Sequence, residues 1–373
     1  MSKLFGLGLV IVLLVGNFAG ATETRVTTLG EVGFIQKDVN NIWFFPQTLT
    51  SYQNMTLAEI KSTGLTKYGA HFALGSGTLA LYLSTDKMYS NYAPTIPDQY
   101  GAPQTGIEQK IDLFYARNVG GWPVGLVFSL YGRSYKQDTP IDKTERGANG
   151  FQLVLGGTYK ESLESYFLIN GYMWTDKDSS GATASETKGS PYIEFGSRYY
   201  RTITPDYTLI PHLWFSLSTE GKKAGGTEVT NSYSYFNLGC GNNLKMNDLT
   251  LLVSDVGVQI NPGTIKMPGS KVKYSMTYLP YIKLGLESPL SKKVTFRLGA
   301  VKRWKGASQD ADGSKTSFGF VQTQMYLGAG FHFGGLDIDA NMDPGLLTRG
   351  PYLLSGTPVD LASQVSLKYT WGK

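Results

Sequence analysis

Asp337, Asp339, Asn341 and Asp343 recur at every second position, with Leu336, Ile338, Ala340 and Met342 alternating between them. Oxygen ligands this dense suggest calcium, yet a calcium loop curls round its ion and is closed by a bidentate carboxylate. On an extended strand, a two-residue period instead projects the acids from one face in a spaced row. The spacing therefore predicts an acidic stripe on a strand, balanced by Arg297 and Arg303 from a neighbouring row. The three histidines, His71, His212 and His332, fall in separate predicted strands. His212 and Ser216 share a strand face, but four residues along a strand is about 13 Å, too far for a base to reach a nucleophile. Gly328-Ala329-Gly330 is followed by no helix whose N-terminus would hold a phosphate. From these residues no enzyme activity, no metal site and no cofactor is expected.

The elements that carry these side chains read as strands along most of the chain. Val365, Leu367, Tyr369 and Trp371 alternate with Gln364, Ser366, Lys368 and Thr370, so one face suits hydrocarbon and the other water, with a terminal aromatic at interface height. Similar runs begin at residues 66–74 and recur to residues 362–371, most of them near the 9 to 11 residues a tilted strand needs to cross an apolar layer. They include residues 122–134, 150–159, 232–241 and 246–258. Short links, as at Gly120-Gly121, Pro205-Asp206, 242–245 and Gly334-Gly335, alternate with longer polar ones, as at 136–149, 220–230, 261–271 and 305–315. Bacterial barrels keep short turns on the periplasmic side and long loops outside. An even strand count then requires an upward strand before Thr66, best supplied by residues 54–61. The expected fold is all-β: a transmembrane antiparallel β-barrel of about sixteen strands, or about fourteen if a weak strand is not real. A barrel of that size has a lumen too wide for side chains alone to fill.

Composition agrees, with 45 glycines, 24 tyrosines and only 17% charged residues, although a soluble β-sandwich array would look similar. Lys3, the apolar run from Leu4 to Val15 and the small residues Ala19-Gly20-Ala21 form the pattern of a secretory signal peptide cut before Thr22. The run is short for a membrane anchor, which needs about 20 apolar residues. The domain reading is residues 1–21 as signal peptide, 22–53 as an N-terminal periplasmic or lumen segment, and 54–373 as the barrel in the outer membrane of a diderm bacterium. Cys240 stands alone and makes no internal disulfide. The net charge of +5 is spread along the chain in pairs such as Lys292-Lys293, so no nucleic-acid partner is expected. Expected partners are outer-membrane lipid, a small-molecule cargo, and the barrel-assembly machinery through the C-terminal strand.

Alternation also assigns faces. Val294, Phe296, Leu298 and Ala300 fall on one side of a strand and Thr295 and Arg297 on the other; an Arg on the lipid face at mid-bilayer costs about 2 to 4 kcal/mol, so Arg297 should point inward. The same argument sends Lys110, Asp112, Glu194, Arg198 and Tyr200 inward, while Ile111, Leu113, Tyr115, Ile193, Phe195 and Tyr199 face lipid. On this reading Leu298→Arg harms assembly far more than Arg297→Leu. The predicted lumen lining comprises Lys110, Asp112, Glu194, Arg198, Arg297, Arg303, Asp337, Asp339 and Asn341. Gln322, Gln324 and Tyr326 share an inward row, and Tyr166, Leu168, Tyr172 and Trp174 offer either an apolar patch or plug contact.

Residues 22–53 do not read as hairpins. Trp43, Phe44, Phe45 and Pro46 form an apolar knot flanked by Asn40, Asn41 and Gln47. A fully buried Phe contributes about 1.5 to 3 kcal/mol, and the barrel interior is the nearest shelter. The knot is read either as a hatch that moves or as a static plug. In Asp38, Ile42, Pro46 and Leu49 the segment resembles the start of the FadL-type long-chain fatty-acid transporters, which tuck such a segment into the lumen before the first strand. Phe45 and Gln47 stand where that family has Asn and Ala. The resemblance, over some thirty residues, implies a passive channel for hydrophobic cargo. The residues themselves leave open a general polar-solute porin, and a scaffold that binds a secreted or surface protein by its long loops, a role that related barrels also suggest.

Overall fold

The computed structural model describes residues 22–62, 66–84, 109–138, 143–177, 183–189, 192–224, 227–247, 249–311, 313–342 and 362–372. Residues 1–21, expected as a signal peptide, and Asp343 lie outside the described residues, as do the side chains of Tyr172 and Trp174. Sixteen antiparallel strands pair in chain order and close on themselves. They are β1 (Met55–Lys61), β2 (Thr66–Leu74), β3 (Gly77–Ser84), β4 (Gln109–Val119), β5 (Trp122–Asp138), β6 (Lys143–Tyr159) and β7 (Leu163–Lys177). Next comes β8, in three pieces, Thr183–Gly189, Tyr192–Tyr199 and Arg201–Thr204. It counts as one strand because its first two pieces both lie between β7 and β9 and the third continues along β9. The rest are β9 (Tyr207–Ala224), β10 (Thr227–Lys245), β11 (Leu251–Met267), β12 (Ser270–Pro289), β13 (Val294–Ala311), β14 (Ser314–Phe333), β15 (Leu336–Met342) and β16 (Ala362–Thr370). Closure runs from Met55 opposite Thr370 to Lys61 opposite Gln364. The upward strand required before Thr66 is therefore β1, and the fourteen-strand alternative falls away.

Burial inverts the rule for soluble proteins. Along the middle piece of β8 the inward residues Tyr192, Glu194, Gly196 and Arg198 alternate with the outward Ile193, Phe195 and Tyr199. Leu81, Leu83, Ile111, Leu113, Phe167 and Leu298 are likewise exposed outside, whereas Lys110, Asp112, Arg297, Asp339 and Lys368 are buried within. An apolar exterior round a polar interior is the arrangement hydrocarbon demands of a closed sheet. Aromatics gather at the tight-turn end: Trp371 lies 6.2 Å from Phe72 and 6.4 Å from Tyr369, and Trp122 lies 5.1 Å from Tyr159. That is the interfacial girdle of a membrane barrel. No helix among the described residues is long and apolar enough to cross a membrane.

Strand lengths correct the sequence expectation. β5, β6 and β11 run 17 residues, β10 runs 19, and β12 and β14 run 20. The stretches 136–149, 220–230, 261–271 and 305–315, expected as polar loops, are largely the far ends of these hairpins. Beyond the apolar layer both faces meet water, so the alternation fades while the ladder of hydrogen bonds continues. The turn expected at 242–245 lies further on. β10 continues through Lys245, and the Asn247 side chain accepts from the backbone of Leu249 and Thr250 at 2.9 and 2.7 Å.

Residues 22–53 cross the lumen. A short helix α1 (Glu23–Thr28), N-capped by Thr22, packs on β13 to β16. Two 3-10 turns follow, Val39–Trp43, capped by Asp38, and Pro46–Ser51, which packs on β3 to β6. One end of the segment thus rests on each side of the barrel.

Candidate functional site

On the α1 side the contacts are ionic. Arg25 gives Nε and Nη2 to the two oxygens of Glu287 at 2.6 and 2.7 Å, and Arg297 reaches Glu287 and Asp339 at 2.6 Å each. Glu23 receives Lys61 at 2.7 Å and Lys67 at 3.1 Å, and its backbone N–H donates to Glu59 at 2.7 Å. Burial works against ionisation of Glu23, but the two lysines outweigh it and hold its carboxyl below the usual range. For Asp38 burial wins over the pull of Arg25, and the carboxyl is pushed up to about 7. Burial also opposes ionisation of Glu31; Arg303 and Lys283 overcome it and keep the carboxyl low.

On the opposite side the contacts are aromatic. Phe45 stands edge-on to Phe34 at 5.4 Å and to Tyr166 at 5.1 Å, Phe34 stacks on Trp214 at 5.9 Å, and Trp43 meets Tyr82 and Phe114 at 4.7 and 5.3 Å. Polar groups frame this seam. The Trp43 Nε1–H donates to Asp112 at 3.1 Å beside Lys110, and the Arg198 guanidinium lies 4.0 Å from the Phe45 ring centre while donating to the Phe34 and Gln36 carbonyls. Wall glycines let the segment's backbone lie against the sheet. A side chain at Gly125 would land on Pro46 and Gln47, and one at Gly299 on Thr28 to Gly30.

Toward the long strand ends, above the α1 side, a second and separate aromatic group lines the wall. Register places Phe320 opposite Lys305 and Phe318 opposite Ala307, on the same inward face as Arg303 and Gln322. The two Phe rings stack at 6.3 Å, and the Lys305 ammonium lies 5.1 Å from Phe320 and 5.9 Å from Tyr278. Both rings are exposed to the lumen mouth.

The predicted lining residues sort into separate sets. Arg297 and Asp339 meet, as do Lys110, Asp112 and Trp43. Glu194 accepts from the Tyr166 and Tyr192 hydroxyls, and Asn341 donates to Ser363 at 2.9 Å. Asp337 binds His332 and Lys368 at 2.8 and 2.6 Å, so the acidic stripe is divided among its own cations. Arg303 does not balance that stripe. It pairs with Glu31 of the N-terminal segment and donates to Gln324 at 2.8 Å. Arg297 serves two buried carboxylates, so the expectation that Arg297→Leu is the mild member of its pair does not survive this geometry. Arg25, Glu23, Glu59, Lys61, Lys67 and Glu287 belong to the site without having been singled out. Period two offered a signal for Glu287, which follows Lys283 and Gly285 on the inward row of β12, but none for Arg25.

A closed antiparallel sheet, apolar outside and polar within, with a chain segment packed across its lumen, defines a transmembrane β-barrel of the outer-membrane type. No family model and no curated protein matches the chain. Similar solved structures include the FrpB iron transporter from Neisseria meningitidis, at 10% identity and TM-score 0.41, over 78% of this chain and 61% of that one. The chain thus spans about three fifths of the FrpB length. The CymD monoaromatic hydrocarbon channel is 9% identical with TM-score 0.38, over 94% of this chain and 99% of that one. The DcaP channel of Acinetobacter baumannii is 9% identical with TM-score 0.36, over 85% and 95%. Values of this size transfer neither family nor cargo, and the class rests on the barrel's own geometry.

Proposed function

We propose that this chain is exported with a cleaved signal peptide, enters the outer membrane through its assembly machinery by way of β16, and acts there as a channel for passive uptake of small apolar molecules. Tight turns face the periplasm and the long hairpins stand outside. The observation that carries the reading is the aromatic seam between the segment 22–53 and the wall. Moving Trp43 to Phe45 away from that wall opens an apolar slot, whereas a polar-solute porin needs a wet, charged passage. The FadL-type resemblance of the same segment points the same way.

In planar bilayers the intact protein is expected to give no steady conductance. In vesicles with a lipopolysaccharide outer leaflet it is expected to speed entry of a fatty acid or monoaromatic hydrocarbon at least tenfold, leaving glucose entry unchanged. Steady ohmic conductance with rapid glucose entry would replace this reading with a general porin. Silence toward both solutes, with a stoichiometric protein partner, would favour the scaffold, a role the tall β5 to β14 wall also suits.

A further inference from the structure

We infer that the cut before Thr22 creates a buried ammonium that completes the ionic anchor of the lumen segment. The inference rests on the export reading, which supplies the cut. Hydrolysis of the Ala21–Thr22 peptide by the export peptidase adds one water, leaving a carboxylate on Ala21 and an ammonium on Thr22.

Among the described residues the anchor has one more carboxyl than it has cations. Its connected carboxyls are five, Glu23, Asp38, Glu59, Glu287 and Asp339, and its cations are four, Arg25, Lys61, Lys67 and Arg297. Asp337 adds nothing to the count, since Lys368 already pairs with it. Thr22 sits at the centre of the deficit. It is fully buried, and its hydroxyl donates to Asp339 Oδ2 at 2.8 Å. The next backbone nitrogen, that of Glu23, donates to Glu59 Oε1 at 2.7 Å. The Thr22 nitrogen is tied by covalent geometry to within about 3 to 4 Å of both these donor atoms. It is therefore held within about 7 Å of both the Asp339 and the Glu59 carboxylate. Glu59 Oε2 is buried, with the Lys67 ammonium at 3.5 Å and no closer hydrogen-bond partner among the described residues. An uncut chain brings one amide N–H and no charge to this place; the cut brings three N–H donors and the missing positive charge. The segment then seats fully only in the processed chain.

Reductive methylation with formaldehyde and cyanoborohydride, read by mass spectrometry of the N-terminal peptide, tests this on the purified barrel. The chain is expected to begin at Thr22, with its α-amine labelled at least tenfold less in the folded barrel than after denaturation, while the exposed Lys292 and Lys293 label fully in both. A variant with one Gly inserted between Ala21 and Thr22 moves the ammonium out by a residue. Its α-amine is expected to label readily, and its residues 22–53 to be cleaved by added protease at least tenfold faster. A chain that starts at Thr22 but labels fully when folded overturns the buried ammonium and leaves export intact. A chain still carrying residues 1–21, or cut elsewhere, overturns the processing step on which both readings depend.

Discussion

Arg297→Leu is expected to lower the folded fraction of the barrel at least as severely as Leu298→Arg, as read by the mobility difference between unheated and boiled samples. Leu298→Arg places a cation on the lipid face, where mid-bilayer Arg costs about 2 to 4 kcal/mol. Arg297→Leu places an apolar group where hydrocarbon would welcome it, but on the inner face. There it strips Glu287 and Asp339 of a partner 2.6 Å away. Removing one member of a buried ion pair costs about 3 to 5 kcal/mol, because the survivor keeps its charge without compensation. Arg25 still holds Glu287, whereas among its described contacts Asp339 keeps only Thr22, through its hydroxyl and, in the processed chain, the ammonium near it. The triple change Arg297→Leu, Glu287→Leu, Asp339→Leu removes the wall's charges together and is expected to recover part of the loss. An Arg297→Leu barrel as well folded as the parent would remove the ionic hub from this account.

Gly125→Val with Gly299→Val is expected to unseat the lumen segment without unfolding the barrel. Both glycines face inward on strands, at opposite ends of the segment, and each new Cβ meets segment backbone rather than a flexible side-chain tip. Overpacking costs about 1 to 3 kcal/mol per site, and here the piece free to yield is the segment. Val suits a strand better than Gly, so the sheet itself should not suffer. Channel openings in planar bilayers are expected to rise at least about tenfold, since each 1.4 kcal/mol is a factor of ten. The heat-modifiable mobility should stay that of the parent. Gly157→Val serves as the control, since its φ lies outside the left-handed region and its Cβ would meet nothing nearer than the Pro123 carbonyl oxygen at 3.9 Å. Silent channels in the double variant would mean that the segment tolerates the intrusion or that its position does not gate the lumen.

Much of the barrel was legible because two solvents impose one rule on alternate residues. Arg297 between Phe296 and Leu298, and Glu194 between Ile193 and Phe195, leave no choice of face. Where the rule lapses, legibility lapses with it. Past the apolar layer the outward Ser232, Ser234 and Thr264 differ little from inward neighbours such as Asn231 and Asn261, and hairpins were mistaken there for loops. The segment 22–53 obeys no period, so only its aromatic knot stood out. Its ionic end depends on residues hundreds of positions away, such as Glu287 and Asp339, which no local pattern links to Arg25 or Thr22. Gly328 announced close backbone approach, and its inner face is covered by Thr28; what approached it was not written nearby.

The central claim is that residues 22–53 close an otherwise open sixteen-stranded lumen. Single-channel conductance of the chain lacking residues 22–53, set beside the intact chain in the same bilayer and salt, measures it directly. Large, steady, ohmic openings are expected from the shortened barrel and none from the intact one. Equal conductance from the two would contradict it.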